Sequence, residues 1–269
     1  MSDYLNSLPE NIEKIDVSCK NIDYLDLTRF KNLKILDCSN NRLTSLHLNE
    51  QLEELSCCKN QLTSLQLNEN LKYLACNNNQ LTSLQLNENL RQLFCYCNQL
   101  TSLHLNEKLE ELSCFNNQIT SLQLNKNLKF ISCFMNQLTS LQLNEKLEYL
   151  ACSMNQLTSL HLNDNLKQLF CYCNQLIYLH LNDNLQTIVY NENPIYEIIK
   201  NSDTTVLNRE LKILNNFRYS YYCLKYKKRF RDLLWVKIRE PKIRKKYSHD
   251  YLVANLHEDT DLDELLDNW

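Results

Sequence analysis

Thirteen cysteines and six histidines are the residues of this chain whose types could support metal binding, redox chemistry or nucleophilic catalysis. Eight of the cysteines recur at one fixed interval, and such a column of thiols could bind metal or relay electrons. Zinc, however, needs four ligands in a tetrahedral arrangement, and a straight column of thiols does not converge on one point. We therefore interpret these eight as small apolar core residues. They are Cys38, Cys57, Cys76, Cys95, Cys114, Cys133, Cys152 and Cys171.

Two C-x-C motifs and a set of histidines also look like metal ligands. Cys95-Tyr96-Cys97 and Cys171-Tyr172-Cys173 are separated by four of the intervals that separate the column cysteines. Duplication of one repeat variant accounts for both motifs without metal chemistry. The histidines at His47, His104 and His161 recur at every third interval in the same way. That spacing indicates a solvated surface and duplication.

The composition excludes several classes of enzyme. The chain has no glycine, and a Rossmann fingerprint, a P-loop and a Gly-dependent nucleophile elbow each need glycine for a tight turn or for close approach to a ligand. A nucleophile at Cys223 would require a base and an oxyanion site, and no spacing indicates either. We predict no catalytic residue, no metal, no cofactor and no small-molecule substrate.

The interval between the column cysteines belongs to a 19-residue repeat that covers about residues 12–195. Each unit follows the pattern L-x-x-L-x-C-x-x-N-x-L-x-x-L-x-L, and seven positions recur in register over at least eight units. Self-similarity at a fixed period of this length is typical of a solenoid. The leading leucines are Leu33, Leu52, Leu71, Leu90, Leu109, Leu128, Leu147, Leu166 and Leu185.

This pattern resembles the leucine-rich-repeat family. The short repeat unit is similar to that of the leucine-rich arrays of bacterial secreted effectors, which have prolines where this chain has Gln, His or Asn. The resemblance implies an α/β solenoid, namely a leucine-rich-repeat horseshoe with a parallel β-sheet on the concave side and short extended or 3₁₀ convex segments. We count ten units. The first, from Ile12, is two residues longer and has Lys20 in place of Asn, and the last, Leu185 to Ile195, has Tyr190 in place of Cys. Terminal units have one neighbour, so these departures predict caps.

Each recurring position of the repeat is predicted to lie in the core, on the outer face of a strand or in the turn that follows it. The L-x-x-L-x-C segment alternates with a period of two, which predicts one strand per unit. Leu112 and Cys114 then point into the core. Glu111, Ser113 and Phe115 point outward on the concave face. The following Asn column should satisfy backbone groups of its own loop and of the adjacent one. This predicted structural ladder is Asn41, Asn60, Asn79, Asn98, Asn117, Asn136, Asn155, Asn174 and Asn193.

The outward strand positions carry the candidate binding site. Aromatic residues from successive units, about 4.8 Å apart, should form a contiguous apolar strip. Exposed apolar patches of this kind mark interaction sites, and aromatic residues are enriched in them. Self-association and coverage by the tail are the alternatives for this strip. The predicted partner-binding residues are Tyr73, Phe94, Tyr96, Phe115, Phe130, Phe134, Tyr149, Phe170 and Tyr172. Beside them runs a column of charges that can pair laterally, Glu53, Lys72, Arg91, Glu110, Lys129, Glu148 and Lys167.

Residues 1–195 are the predicted solenoid and residues 196–269 a predicted α-helical cap or tail. One helix follows Ser202 and a second covers about Phe230 to Ile238, and their expected duty is to cover the last strand edge. Residues 200–246 contain 15 Lys and Arg against four Asp and Glu, and residues 247–269 contain seven acidic residues and no basic ones. The basic segment 225–246 either pairs with the acidic end or a partner, or binds nucleic acid or an anionic membrane.

The cysteines and the C-terminal segment also indicate the cellular location of the protein and the kind of organism that encodes it. An odd number of cysteines leaves a thiol unpaired in a secreted protein but is normal in a reducing cytosol. No apolar run spans a membrane and Met1 to Leu8 lacks a signal pattern, so we predict an intracellular protein of the host cytoplasm. Trp235 to Tyr247 and Asp261 to Trp269 resemble the C-terminal signature of repeat proteins of giant DNA viruses of the mimivirus type. That resemblance implies a viral protein.

The function predicted from the sequence is a non-enzymatic protein–protein interaction scaffold. Its partner is an unknown host or viral protein, bound on the aromatic-lined concave face. One alternative is an adaptor whose C-terminal tail recruits host or viral machinery. The other is binding of nucleic acid or an anionic membrane through residues 225–246.

Overall fold

The computed structural model describes residues 5, 7–200 and 203–225, with side chains as far as Tyr219. The chain divides into two compact units, Met1–Lys212 and Ile213–Trp269. The elements described are twelve strands of three residues and one helix. They are β1 (Lys14–Asp16), β2 (Ile35–Asp37), β3 (Glu54–Ser56), β4 (Tyr73–Ala75), β5 (Gln92–Phe94), β6 (Glu111–Ser113), β7 (Phe130–Ser132), β8 (Tyr149–Ala151), β9 (Ser159–His161), β10 (Gln168–Phe170), β11 (Tyr178–His180), β12 (Thr187–Val189) and α1 (Thr204–Lys225).

Ten strands form one parallel sheet in the order β1 to β8, then β10 and β12, while β9 and β11 pair in a second, two-stranded parallel sheet. The register advances by one repeat from each strand to the next, as where Leu93 pairs with Leu112. The first pair, Lys14 with Ile35, has a longer offset, because the first unit contains two additional residues. The predicted parallel-sheet solenoid followed by a helix is confirmed.

The core lies between the strand face and the opposite segment of each turn. The central strand residue and the cysteine two positions later are buried, as with Leu112 and Cys114 at 0% exposure. The opposite segment contributes Ile119 and Leu122 to the same core. Burying one such leucine stabilises the fold by about 1.5–3 kcal/mol, and each unit repeats this contribution.

Each unit leaves its strand through a left-handed residue immediately before the ladder asparagine. The φ angles of this column lie between 51° and 57°. Left-handed backbone favours glycine, and among other residues mainly Asn and Asp. Asparagine occupies three of the nine positions and other residues occupy six, so the chain tolerates local strain at a regular interval. The column is Asn40, Lys59, Asn78, Cys97, Asn116, Met135, Met154, Cys173 and Glu192.

The last unit is closed by residues that depart from the repeat. Tyr190, which replaces the column cysteine, is buried, and its hydroxyl donates a hydrogen bond of 2.6 Å to the Ile199 carbonyl. Helix α1 begins after Asp203, whose carboxylate accepts hydrogen bonds from the amides of Thr205 and Val206 at 2.9 and 3.0 Å, a typical N-cap.

The first turns of α1 belong to the first compact unit. Leu207 and Leu211 are buried, and the side chains of Asn208 and Lys212 contact Asp183 at 2.8 and 3.4 Å. The predicted helix near residues 230–238, the basic segment and the acidic end lie outside the described residues, and the predicted boundary at 195/196 stays a prediction. In the described part, no helix has the length and apolar character needed to cross a membrane.

Candidate interaction surface

The ladder asparagines join neighbouring turns through both halves of the amide. Asn117 donates from Nδ2 to the carbonyls of Cys95, Cys114 and Phe115 at 3.1, 3.0 and 3.3 Å. Its Oδ1 accepts a hydrogen bond from the backbone amide of Leu100. The amide thus satisfies three carbonyls and one N–H, and the other units repeat this set. The resulting stack of fixed turns makes the strand face a rigid support.

A second asparagine column, which the sequence analysis did not identify, runs through the opposite segment. Asn125 donates from Nδ2 to the carbonyls of Asn106 and Leu109, and its Oδ1 accepts from the amides of Asn127 and Leu128 at 2.9 and 2.8 Å. The signal was present as the asparagine of the recurring Leu-Asn motif. The column comprises Asn49, Asn68, Asn87, Asn106, Asn125, Asn144, Asn163 and Asn182.

The eight column cysteines lie in the core, each at 0% exposure. Burial raises the pKa of the Cys38 and Cys133 thiols to about 12 and also raises the pKa of the other six. Their thiols are therefore neutral and poorly nucleophilic. Among residues 5, 7–200 and 203–219, no group of three or more His, Cys, Asp or Glu side chains is placed to hold a metal ion.

All nine predicted partner-binding aromatic residues are half-buried. The strands place them in different columns of the strand face. Tyr73, Phe130 and Tyr149 lie at the first strand residue and Phe94 and Phe170 at the third. The others follow two residues after a strand, at Tyr96, Phe115, Phe134 and Tyr172.

Direct ring contacts divide the nine residues into groups. Tyr96, Phe115 and Phe134 form one parallel stack with centroids 4.2 Å apart in both steps. A second row contains Phe130 and Tyr149, stacked at 4.1 Å, and then Phe170, tilted at 5.7 Å from Tyr149. Tyr73 and Phe94 make a separate tilted pair at 5.7 Å. Tyr172 makes none of these ring contacts within the part of the chain that the structure describes. We call these nine residues together the aromatic strip.

Small residues lie between the two stacked rows. Ser113, Ser132 and Ala151 occupy the third strand position in β6, β7 and β8, and they are exposed by only 6%, 8% and 6%. Alternation directs these side chains outward, as predicted for Ser113, yet they are nearly inaccessible. Half-buried rings occupy the neighbouring columns on both sides, as at Phe115 and Phe130.

Ion pairs border the aromatic strip on the side where the strands begin. Lys129 bonds Glu110 at 2.8 Å, Lys167 bonds Glu148 at 2.6 Å, and Arg91 lies 3.7 Å from Glu110. The hydrogen bond and charge of Lys129 lower the pKa of Glu110. These side chains are exposed to solvent, so each pair adds little to the stability of the fold. Their effect is to neutralise the border of the strip.

Solved structures similar to this chain are leucine-rich-repeat proteins. YopM from Yersinia enterocolitica matches with a TM-score of 0.67 and 31% identity, over 70% of this chain and 43% of YopM. The functional domain of InlJ from Listeria monocytogenes, which includes a cysteine ladder, matches with a TM-score of 0.57 and 30% identity, over 67% of this chain and 49% of that chain. A leucine-rich-repeat protein from Leptospira interrogans, 24% identical with a TM-score of 0.53 over 65% of this chain and 61% of its own, shares the fold.

The chain spans less than half of the length of the first two of these structures. No protein-family model matches it, and a search of the curated proteins finds no match either. The fold is that of the leucine-rich repeat, built from short turns. The predicted likeness to giant-virus proteins rests on residues 235–269, outside the described part, and stays a prediction.

Proposed function

We propose that this leucine-rich-repeat chain is a non-enzymatic scaffold that binds a protein partner through the aromatic strip. The observation that carries the proposal is a pair of ring rows on one sheet face. Tyr96, Phe115 and Phe134 are stacked, and in the second row Phe130 and Tyr149 are stacked while Phe170 is tilted against Tyr149. Aromatic residues are enriched in the cores of protein interfaces and among residues that dominate binding energy. Leucine-rich-repeat neighbours support the same class of function.

The stacks also make the strip a preorganised surface. A ring held between two others loses little conformational freedom when a partner binds, and this reduces the entropic cost of association. Met135 and Met154, in the column next to the row of Phe134, are 42% and 43% exposed. Methionine adds an adaptable apolar contact beside the fixed rings. The neutral border of ion pairs favours a partner selected by shape and apolar contact rather than by net charge.

The test replaces Phe94, Phe115 and Phe134 together by serine. We expect the triple variant to lose the partner that co-purifies with the wild-type chain from expressing or infected cells. Its melting temperature should fall by about 3–18 °C and the chain should stay folded at room temperature, because three ring contacts contribute about 0.5–1.5 kcal/mol each and one kcal/mol corresponds to about 2–4 °C. Cross-linking followed by mass spectrometry would identify the partner.

The matched control replaces Gln99, Gln118 and Gln137 by alanine. These exposed residues follow the turn in the same three units, so this variant should keep both the partner and the melting temperature. Retention of the partner by the serine variant would refute the proposal. Unfolding of the serine variant at room temperature would show that the rings are core residues.

A second candidate function is an adaptor in which the C-terminal segment contacts another protein. Ile213 and Phe217 lie four residues apart on α1, hence on one face of the helix, and they are 63% and 68% exposed. Deletion of residues 213–269, which leaves the first compact unit whole, should then release one set of co-purifying proteins and leave the set bound by the strip. Loss of both sets, or of neither, would contradict the adaptor. The intracellular location stays a prediction.

A further inference from the structure

The ten-stranded sheet ends at β12, which pairs with β10. On that side, the Lys167 carbonyl accepts from the amides of Gln186 and Thr187, and the Val189 carbonyl accepts from the amide of Cys171. Backbone groups alternate in direction along a strand. The amide and the carbonyl of Ile188 therefore point away from β10, and no described residue pairs with that outer edge.

The core is also incompletely closed at this strand. Ile188 occupies the central position of β12, and the nine equivalent residues from Ile15 to Leu169 are exposed by no more than 1%. Ile188, in contrast, is only half-buried, as is Val189 beside it. The last turn thus leaves a core residue and a strand edge accessible at the same point.

The two ends of the sheet differ in how the edge is protected. Natural edge strands usually contain charged residues or proline, or are covered, because an open edge templates pairing. At the first edge, β1 contains Lys14 and Asp16, and its central Ile15 is 1% exposed. At the last edge, β12 reads Thr-Ile-Val, without charge or proline and with high β propensity. Among the residues that the structure describes, the C-terminal edge is therefore the unprotected one.

We infer that β12 pairs antiparallel with β12 of a second copy of this chain, joining two sheets edge to edge across a twofold axis. Ile188 lies at the centre of the three-residue strand, so the axis brings the two Ile188 residues together. Thr187 then faces Val189 of the second copy, and no like charges oppose each other. The outer amide and carbonyl of Ile188 gain partners, and the half-buried isoleucines become covered.

A head-to-tail arrangement, β12 against β1 of another copy, fits the same edges less well. It would bring an uncharged strand against Lys14 and Asp16, and Ile15 already lies in a closed core. Repeated head-to-tail contacts would also generate an open filament rather than a closed pair. The twofold arrangement uses the unprotected edge in both copies and leaves the aromatic strip for its partner.

Sedimentation velocity of the full chain from about 1 to 300 µM, with thiols reduced, tests this inference. We expect a concentration-dependent shift from monomer to dimer in the wild type. Thr187→Lys adds a charge to the edge, and Ile188→Pro removes the outward amide without removing a hydrogen bond to β10. Both variants should remain monomeric over the same range. Hydrogen exchange at the amide of Ile188 should slow with concentration in the wild type alone.

Gln168→Lys is the matched control, because it adds the same charge at the equivalent exposed position of β10, one strand inside the edge. It should dimerise like the wild type. A wild-type chain that stays monomeric throughout this concentration range would overturn the inference. So would dimerisation that Thr187→Lys does not weaken, since the contact would then use another surface. Neither result bears on partner binding by the strip, which is measured with the serine variant.

Discussion

The Oδ1 atom of Asn117 accepts a hydrogen bond from the backbone amide of Leu100, 2.9 Å away in the preceding turn. At the same time, its Nδ2 donates hydrogen bonds to three backbone carbonyls that belong to two repeat units. Asn117→Ala should lower the free energy of unfolding by about 1–3 kcal/mol, because buried backbone groups lose their partner. Chemical denaturation measures the loss. The exposed neighbour Gln118→Ala is the control and should change little, and equal stability of both variants would contradict this role of the ladder.

The buried thiols predict a steep loss of stability at alkaline pH. Burial raises the pKa of Cys38 and Cys133 to about 12, whereas a cysteine in the unfolded chain has a pKa of about 8.5. A raised folded-state pKa gives stability that is complete below the unfolded pKa and is lost as pH rises toward the folded one. Each thiol should remove on the order of 1 kcal/mol per pH unit in that window, and the eight together on the order of 10 kcal/mol per pH unit.

Urea unfolding at pH 7, 8.5, 9.5 and 10 measures this dependence. We expect the chain to unfold without denaturant by about pH 10, since total stabilities are about 5–15 kcal/mol. Burial also raises the pKa of Cys114. Cys114→Ala removes this thiol and should make the fall of the unfolding free energy with pH less steep, whatever its effect at pH 7. A slope identical to that of the wild type would contradict the contribution of this thiol.

The reactivity of each cysteine thiol should depend on whether its position in the repeat unit is exposed or buried. Cys19 is exposed and Cys58, Cys97 and Cys173 are partly exposed, whereas the eight column cysteines are buried. At pH 8, alkylation read by mass spectrometry should modify the column cysteines on the order of 100-fold more slowly than Cys19, because they react only through unfolding. Addition of urea should equalise the rates. Fast native labelling of Cys114 would show that the column is not closed.

The left-handed column predicts a stabilising substitution. Lys59 has φ 52° and Asn40, in the equivalent position, has φ 57°. Asparagine tolerates this conformation better than lysine, so Lys59→Asn should raise the free energy of unfolding by roughly 1 kcal/mol. The reciprocal Asn40→Lys should lower it by a similar amount. Shifts of the same sign in both variants would show that side-chain contacts outweigh the backbone at these positions.

The repeat pattern was enough to predict the fold. The regular spacing of leucines predicts the register that pairs Leu93 with Leu112, because any other offset would separate the core columns. The left-handed residues were not predicted, since Lys, Met and Glu carry no preference for that conformation and the turn imposes it. Nor was the role of Asn125 predicted. The asparagine of the Leu-Asn motif recurs from unit to unit, but this recurrence does not show which backbone groups its amide bonds.

The outer surface was likewise predicted from the sequence only in part. Alternation places Ser113 and Phe115 on the outer face, but it does not give the exposure of a side chain, which depends on neighbours in the adjacent turns. Ser113 is 6% exposed where the pattern predicts an outward residue. Contacts such as the 4.2 Å stack of Phe115 on Phe134 depend on side-chain rotamers, and these are set only when adjacent turns are in place.

The constant offset between turns has an evolutionary consequence. Every junction between interior turns presents the same leucine and cysteine to its neighbour, so recombination between misaligned copies of the gene can insert or remove a whole turn without mismatching any junction. The outward-facing residues of a turn are inserted or removed together with that turn. Selection can thereby rearrange the order of rings on the surface, and so the choice of target, while the interior that holds them stays constant.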